Sequence, residues 1–473
     1  MTENETPIRA RRGTPAGRAL ALVTAAAIAV TGLGPVVTPA HAQGARVKII
    51  RDTEIENLLR DYARPILKAA GLAQHNVKVV IINDRTFNAF VMDGRHIFVN
   101  AGALFDTRTP NELIGVLAHE TGHLADGHLM RMREKLAHAQ TLSIIGILAG
   151  VGAAVAGASA GGSAGNIGAA AILAPQSAIQ NSLLAYARTQ EDQADHAAIK
   201  FLNETHQSGK GMVDLFKRLA NEMLFSSRSI DPYMQNHPMP ADRVAALETM
   251  AKASPYWNKK DSPALQLRHD LMRAKLSGYL EQPGTVLRRY PPSNHSLPAR
   301  YARAISAYRN DGLQRAMPMI DDLIRSEPND PYFSELKGQA LLEGGYPAQA
   351  IPPLERAVAL SHHAPLIAIM LGQAMVATND KKYAPEAVRL LQAAVQREPD
   401  TPGAYDQLAM AYGREGDLAH ADLASAHAAF NRGDIKTAHL LASRAKTRLK
   451  VGSPAWVRAD DIVNTKMPHQ QRP

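Results

Sequence analysis

Four prolines organise the second half of this chain: Pro298, Pro331, Pro365 and Pro402 recur at intervals of 33, 34 and 37 residues. Proline has a fixed φ and no N–H, so a helix accepts it in the first turn and is broken by it further in. A proline every 34 residues or so therefore predicts one helical hairpin per interval, the period of a tetratricopeptide array. Small residues keep the same beat. Gly338 and Gly372 stand seven residues after their prolines, as Ala409 does after Pro402, and Ala350 with Ala357 is echoed by Ala387 with Ala394. Tyr405, Leu408, Ala409 and Tyr412 approximate the first helix of the consensus, and "TNDKKYAP" before the last interval fits a longer turn. Four hairpins and a terminal helix near 432–449 are expected over residues 298–463, an all-α array whose concave face binds a client or partner. Residues 252–297, with prolines around the helical "LQLRHDLMRAKLSGYL", form a connector, and 464–473 a tail.

A chain of 473 residues is too long for one ordinary core, so another domain is expected before the array. Hydrophobic residues make up 45% and aromatics only 5%, which favours helices packed through small residues over an all-β sandwich. Cysteine is absent, which excludes disulfides, cysteine catalysis and thiolate metal ligands. The formal charge of +9 falls to +7 without residues 1–42, which carry four Arg and two Glu. No block of basic residues and no aromatic–basic interleaving points to nucleic acid. Arg9, Arg11, Arg12 and Arg18 precede an uncharged stretch from Ala19 to Gly34, and Ala40-His41-Ala42 has the small-x-small pattern of a signal-peptidase site. Residues 1–42 are thus expected to be a secretory signal, with Gln43 opening the mature protein.

The chemistry lies in residues 43–251. "VKVVIIND", "TFNAFVM" and "RHIFVN" predict three short strands between Val77 and Val99, with Asp93-Gly94 as a hairpin turn needing positive φ. A helix then starts with unusual definition: Thr109 is the N-cap, Pro110 the first helical residue, and Glu112 completes a capping box. His119, Glu120 and His123 fall in its middle. Residues four apart turn by about 400°, so the two imidazoles share a face and converge on one ion, while Glu120, about 100° round, stands where a general base for water belongs. Leu113, Val116, Leu117 and Leu124 make the surroundings apolar, where unpaired His and Glu would be costly.

A metal needs a third protein ligand. The metzincin spacing is excluded, because Asp126 and Leu129 stand where a glycine and a ligand would be. His128 lies about 140° off the ligand face if the helix continues, which leaves it a role behind the site or on the surface. Further on, Leu184, Ala187, Glu191, Asp195, Ala198 and Leu202 share one helical stripe, with two carboxylates in a face that otherwise seeks burial. Glu191 is the expected ligand and Asp195 the expected acceptor of a ligand histidine's outer N–H.

HExxH at 119–123, the carboxylates of Glu191 and Asp195, and "HPMPADR" from His237 to Arg243 together resemble the zinc endopeptidase family of HtpX and the CAAX prenyl proteases. That resemblance implies an α+β, gluzincin-type domain, mostly helical with a small sheet, followed by the repeats. It implies one Zn2+ per chain on His119, His123 and Glu191, with Glu120 activating water. It also implies that Asn88 to Phe90 belongs to an edge strand beside the cleft, where a peptide adds itself as a further strand. His237 and Arg243 match site positions of the family. Either group would stabilise a tetrahedral oxyanion, and His237 would alternatively fill the open coordination position until substrate displaces it.

Between Lys135 and Arg188 no residue carries a formal charge, and the Gly/Ala-rich 141–179 is expected to be a helical lid or a peripheral membrane contact. The expected protein is a periplasmic zinc endopeptidase acting on misfolded or stalled envelope proteins, with repeats that bind clients or the outer-membrane assembly machinery. The competing expectation is a chaperone or scaffold of that assembly whose protease is latent.

Overall fold

The computed structural model describes residues 48–137, 164–225 and 232–465. The expected signal segment, the first part of the uncharged stretch and residues 466–473 lie outside them.

A four-stranded sheet forms one wall of the amino-terminal part: β1 (Ile49–Ile50), β2 (Lys78–Ile82), β3 (Ala89–Val91) and β4 (His96–Asn100), in the order β1-β2-β4-β3. β2 and β4 run parallel, with Val80 opposite Phe98, while β3 pairs antiparallel with β4, Phe90 opposite Phe98, and forms an edge. β1 is an addition to the three strands expected; two residues are too few to carry an alternation signal. The β3–β4 hairpin is present, but its turn differs from expectation. Gly94 does not take positive φ. Instead Asp93 Oδ1 accepts the N–H groups of Arg95 and His96, each at 2.8 Å, closing the turn through its side chain.

Around the sheet pack α1 (Thr53–Ala69), α2 (Ala101–Asp106), α3 (Pro110–Ala125), α4 (Ala164–Glu204), α5 (Lys210–Phe225), the short α6 (Pro232–Asn236) and α7 (Ala241–Lys252). α3 is central, touching α1, α4, α5 and β3. Every residue from Pro110 to His123 is buried, which explains why its apolar pattern runs around the helix rather than along one stripe.

The connector is a packed element rather than a loose link. α8 (Pro263–Leu280) sends Met272 and Leu276 into the core that holds α3. Leu271 and Ala274, on its other side, belong to the core of the following helices. α9 (Pro283–Arg289) leads into them.

Each recurring proline sits in the first turn of a helix, as its missing N–H requires: α10 (Leu297–Asn310), α12 (Pro331–Glu343), α14 (Pro365–Ala377) and α16 (Pro402–Glu415). Their partners are α11 (Leu313–Ser326), α13 (Pro347–Leu360), α15 (Ala384–Arg397) and α17 (Leu418–Asn431), each packed on the helix before and the helix after it. The echoed glycines have a steric cause. A Cβ on Gly338 would overlap Leu354, and one on Gly372 would overlap Leu391, so helix contact is close at both. The terminal helix appears as α18 (Ile435–Arg448), followed by α19 (Pro454–Val463), which the spacing did not anticipate. This arrangement is compatible with tetratricopeptide repeats.

Candidate metal centre

The start of α3 is pinned on both sides of its cap. Thr109 Oγ1 accepts Glu112 N–H at 3.3 Å, and Glu112 returns to Arg108 N–H at 2.7 Å while pairing with Arg218 at 2.9 Å. Glu112 thereby satisfies a helix-end donor and keeps a buried charge paired. Two turns on, His119 and Glu120 are fully buried and His123 nearly so. The imidazoles meet on one face, Nε2 to Nε2 3.1 Å.

α4 brings in the carboxylates because Gly122 permits it. A Cβ there would stand 2.9 Å from the carbonyl oxygen of Ala194, so the two helices approach backbone to backbone. Glu191 Oε1 lies 3.3 Å from His123 Nε2, and its Oε2 3.4 Å from His119 Nε2. His237, just past α6, adds Nδ1 at 3.3 Å from His119 Nε2 and 3.0 Å from Glu191 Oε2. Donor atoms of His119, His123, Glu191 and His237 all fall within 4.8 Å of one another, and all four residues are buried.

This donor set fits a tetrahedral ion. Bonds of about 2.0–2.1 Å place donors roughly 3.3 Å apart along a tetrahedron's edges, and the separations above run from 3.0 to 3.4 Å. Nitrogen and oxygen ligands in this number suit zinc. Glu120 adds a second sign: both carboxylate oxygens are buried without a hydrogen-bond partner, and His237 Nε2 is 3.6 Å away. A carboxylate left so is expensive unless its use is chemical.

The electrostatics follow from burial against close pairing. Burial pushes the Glu120 carboxyl above its ordinary range. Burial opposes ionisation of Glu191 too, yet His237, His119 and His123 hold it far below. His123 is driven down to about 3 by burial. Burial also works against a charged His119, but Asp195 and Glu191 outweigh it and lift the ring to about 9. Asp195 Oδ1 stands 3.0 Å from His119 Nδ1, the nitrogen turned away from the cluster.

Arg243 faces the back of the site. Its Nε and Nη2 donate to Asp195 at 2.7 and 2.9 Å, and its Nη1 reaches Glu191 Oε2 at 2.9 Å and the Pro238 carbonyl at 2.8 Å. Aromatic rings wall the centre: Tyr233 lies over His237 with centroids 4.6 Å apart, and Phe216 meets His119 edge-on. Neither ring was singled out in the sequence, where each reads as an ordinary core residue.

Residues 50–251 match the model of Peptidase family M48. The chain carries an M48 peptidase domain. Its relatives extend the likeness beyond that M48 domain. The β-barrel assembly-enhancing protease of Yersinia pestis is 23% identical over 427 residues, covering 88% of this chain and 84% of that protein. That of Escherichia coli K12 is 22% identical, covering 90% and 85%. The mitochondrial metalloendopeptidase OMA1 of Schizosaccharomyces pombe is 36% identical over 84 residues, 18% of this chain and 24% of its own. M48 peptidases are metal-dependent, and the buried cluster lies inside the matched residues.

Proposed function

We propose that this metallopeptidase is a zinc-dependent endopeptidase of the periplasm, with His119, His123 and Glu191 as ligands of one Zn2+ and Glu120 as general base. The observation that carries the reading is the buried four-donor cluster with an unpartnered carboxylate beside it. Zinc, when bound, supplies a Lewis acid for the scissile carbonyl. Glu120, its proton affinity raised by burial, takes a proton from the attacking water and passes it to the leaving amine. Asp195 holds the His119 ring with Nε2 toward the cluster. Arg243 fixes Asp195 and Glu191 and is a positioning residue in this account, which replaces the oxyanion role its motif suggested.

His237 occupies the fourth corner of the donor set. A catalytic zinc site keeps one position open, so His237 acts as a latch that substrate must displace. This observation also favours the second reading, a chaperone or scaffold with a latent protease. An extended client segment adds to the free edge of β3, which lies against α3.

The substrate class, misfolded or stalled envelope proteins, is supported by the name of the relatives, β-barrel assembly-enhancing proteases. The helices after α9 are read as tetratricopeptide repeats that hold the client or dock on the outer-membrane assembly machinery. Periplasmic residence rests on the amino-terminal signal pattern. Among the described residues no helix is long and apolar enough to cross a membrane, and 141–179 is proposed as a peripheral membrane contact. Glu120→Gln is the separating experiment. It should keep the zinc while slowing cleavage of an unfolded substrate by about 10²–10⁴-fold. If cells carrying that variant assemble their envelope as well as wild type, the scaffold reading prevails.

A further inference from the structure

We infer that His128 is a positioning residue for His123: its Nδ1 accepts the outer ring N–H of His123 and so holds the Nε2 of that residue in the donor cluster. The inference rests on the reading of His119, His123 and Glu191 as metal ligands. A histidine that offers Nε2 to a metal carries its proton on Nδ1, and that buried N–H needs an acceptor. For His119 the group in position is Asp195 Oδ1, 3.0 Å from Nδ1. For His123 the group in position is His128 Nδ1, at 2.9 Å, with the two rings meeting edge-on at 76°. His128 is 2% exposed, so bulk water does not set its orientation.

The other side of the ring decides the direction of this bond. His128 Nε2 lies 3.1 Å from the side-chain oxygen of Gln193, which accepts and cannot donate. A proton on Nε2 leaves Nδ1 as a lone pair. The contacts then run one way, from His123 Nδ1–H to His128 Nδ1, and from His128 Nε2–H to Gln193 Oε1. Gln190 fixes the backbone of the same residue by donating to the His128 carbonyl at 3.1 Å. Both glutamines come from α4, the helix that supplies Glu191.

Reading α3 as continuous puts His128 about 140° away from His123's partners. The helix does not continue. It ends at Ala125, Gly127 takes φ of +64°, and the chain is helical again over 128–137. That left-handed residue turns the chain so that the ring folds back beneath His123. Space around Gly127 is open, so its glycine is required by φ alone.

Leucine and asparagine are close in size and differ in whether they offer an acceptor. The test compares zinc-loaded wild type with His128→Leu and His128→Asn, following transfer of zinc to a chromogenic chelator, with thermal unfolding of the metal-free proteins as control. Loss of an outer-shell partner commonly weakens metal binding 10–100-fold, so His128→Leu should weaken it by about that factor, while His128→Asn stays within about threefold of wild type. Equal zinc affinity in the leucine variant and wild type overturns the inference, as does equal loss in both variants. Long-range 1H–15N correlation of the histidine rings in zinc-loaded wild type needs no variant: His128 should be the Nε2–H tautomer, and an Nδ1–H tautomer or an imidazolium contradicts it. A wild type that takes up no zinc ends the parent reading and this one together, whereas a wild type that binds zinc alongside an unaffected leucine variant removes His128 alone.

Discussion

Glu191 shows how far a sequence can carry a ligand assignment. Two carboxylates on an otherwise apolar stripe have to meet positive charge, and both are buried, Glu191 against three imidazoles and Arg243 and Asp195 against His119 and Arg243. The stripe was legible except at its start, where Leu184 is 56% exposed. Motif spacing singled out Arg243 but does not say which side of the ligand a guanidinium faces; Arg243 pairs with Glu191 and Asp195. His128 was obscured by the assumption of one unbroken helix. His237 is the residue whose replacement is most informative. If it is a latch, His237→Ala should raise cleavage of an unfolded substrate several-fold and leave zinc content near one per chain; a peptidase assay beside metal analysis checks both, and lower activity at full zinc content would favour a transition-state role instead.

Helices α3 and α4 make the centre by coming close, and that closeness is a property of Gly122. Gly122→Val puts atoms against the Ala194 backbone, so the helices must separate and carry Glu191 away from the two imidazoles. The expected result is zinc affinity lowered about tenfold or more without any ligand changed, read by chelator competition. The N-cap offers a contrasting case. Thr109→Ala should cost about 1 kcal/mol of stability and leave zinc affinity almost unchanged, since the cap lies more than two turns from His119; urea unfolding of the metal-free protein measures it. Some helix starts could be read in advance, the cap from its residues and those of α10, α12, α14 and α16 from their prolines. The Asp93 turn could not, because Asp-Gly suits several turn types. α19 escaped because Pro454 breaks the 34-residue beat.

At the scale of the whole molecule, the M48 domain and the helical array meet on a buried charge network that no sequence pattern announced. Lys275 of α8 lies 2.7 Å from Asp52, 3.2 Å from Glu54 and 3.9 Å from Glu335 of α12, and Tyr301 of α10 donates to Glu54 at 3.0 Å. Three carboxylates share one ammonium because segments far apart in the chain, those of Asp52 and Glu54, of Lys275 and of Glu335, converge there. Lys275→Met should therefore destabilise by about 3–5 kcal/mol, leaving buried acids unpaired. Burial pushes Glu54 up to about 7 and raises Glu335 as well, Lys275 opposing it in both. A carboxyl whose folded pKa exceeds its unfolded one gives stability that is complete below the unfolded pKa, about 4.3, and is lost as pH rises through the folded value. Urea unfolding should thus show wild type less stable at pH 8.5 than at pH 5.5, with a smaller loss in Glu335→Gln; an equal loss in both would remove Glu335 from the account. Central to all three scales is the proposal that α3 and α4 together hold one ion. Metal analysis of purified wild type and Glu191→Ala measures that most directly. One zinc per wild-type chain, and little or none after Glu191→Ala, is the predicted result; a full zinc complement in the variant, or none in wild type, would contradict it.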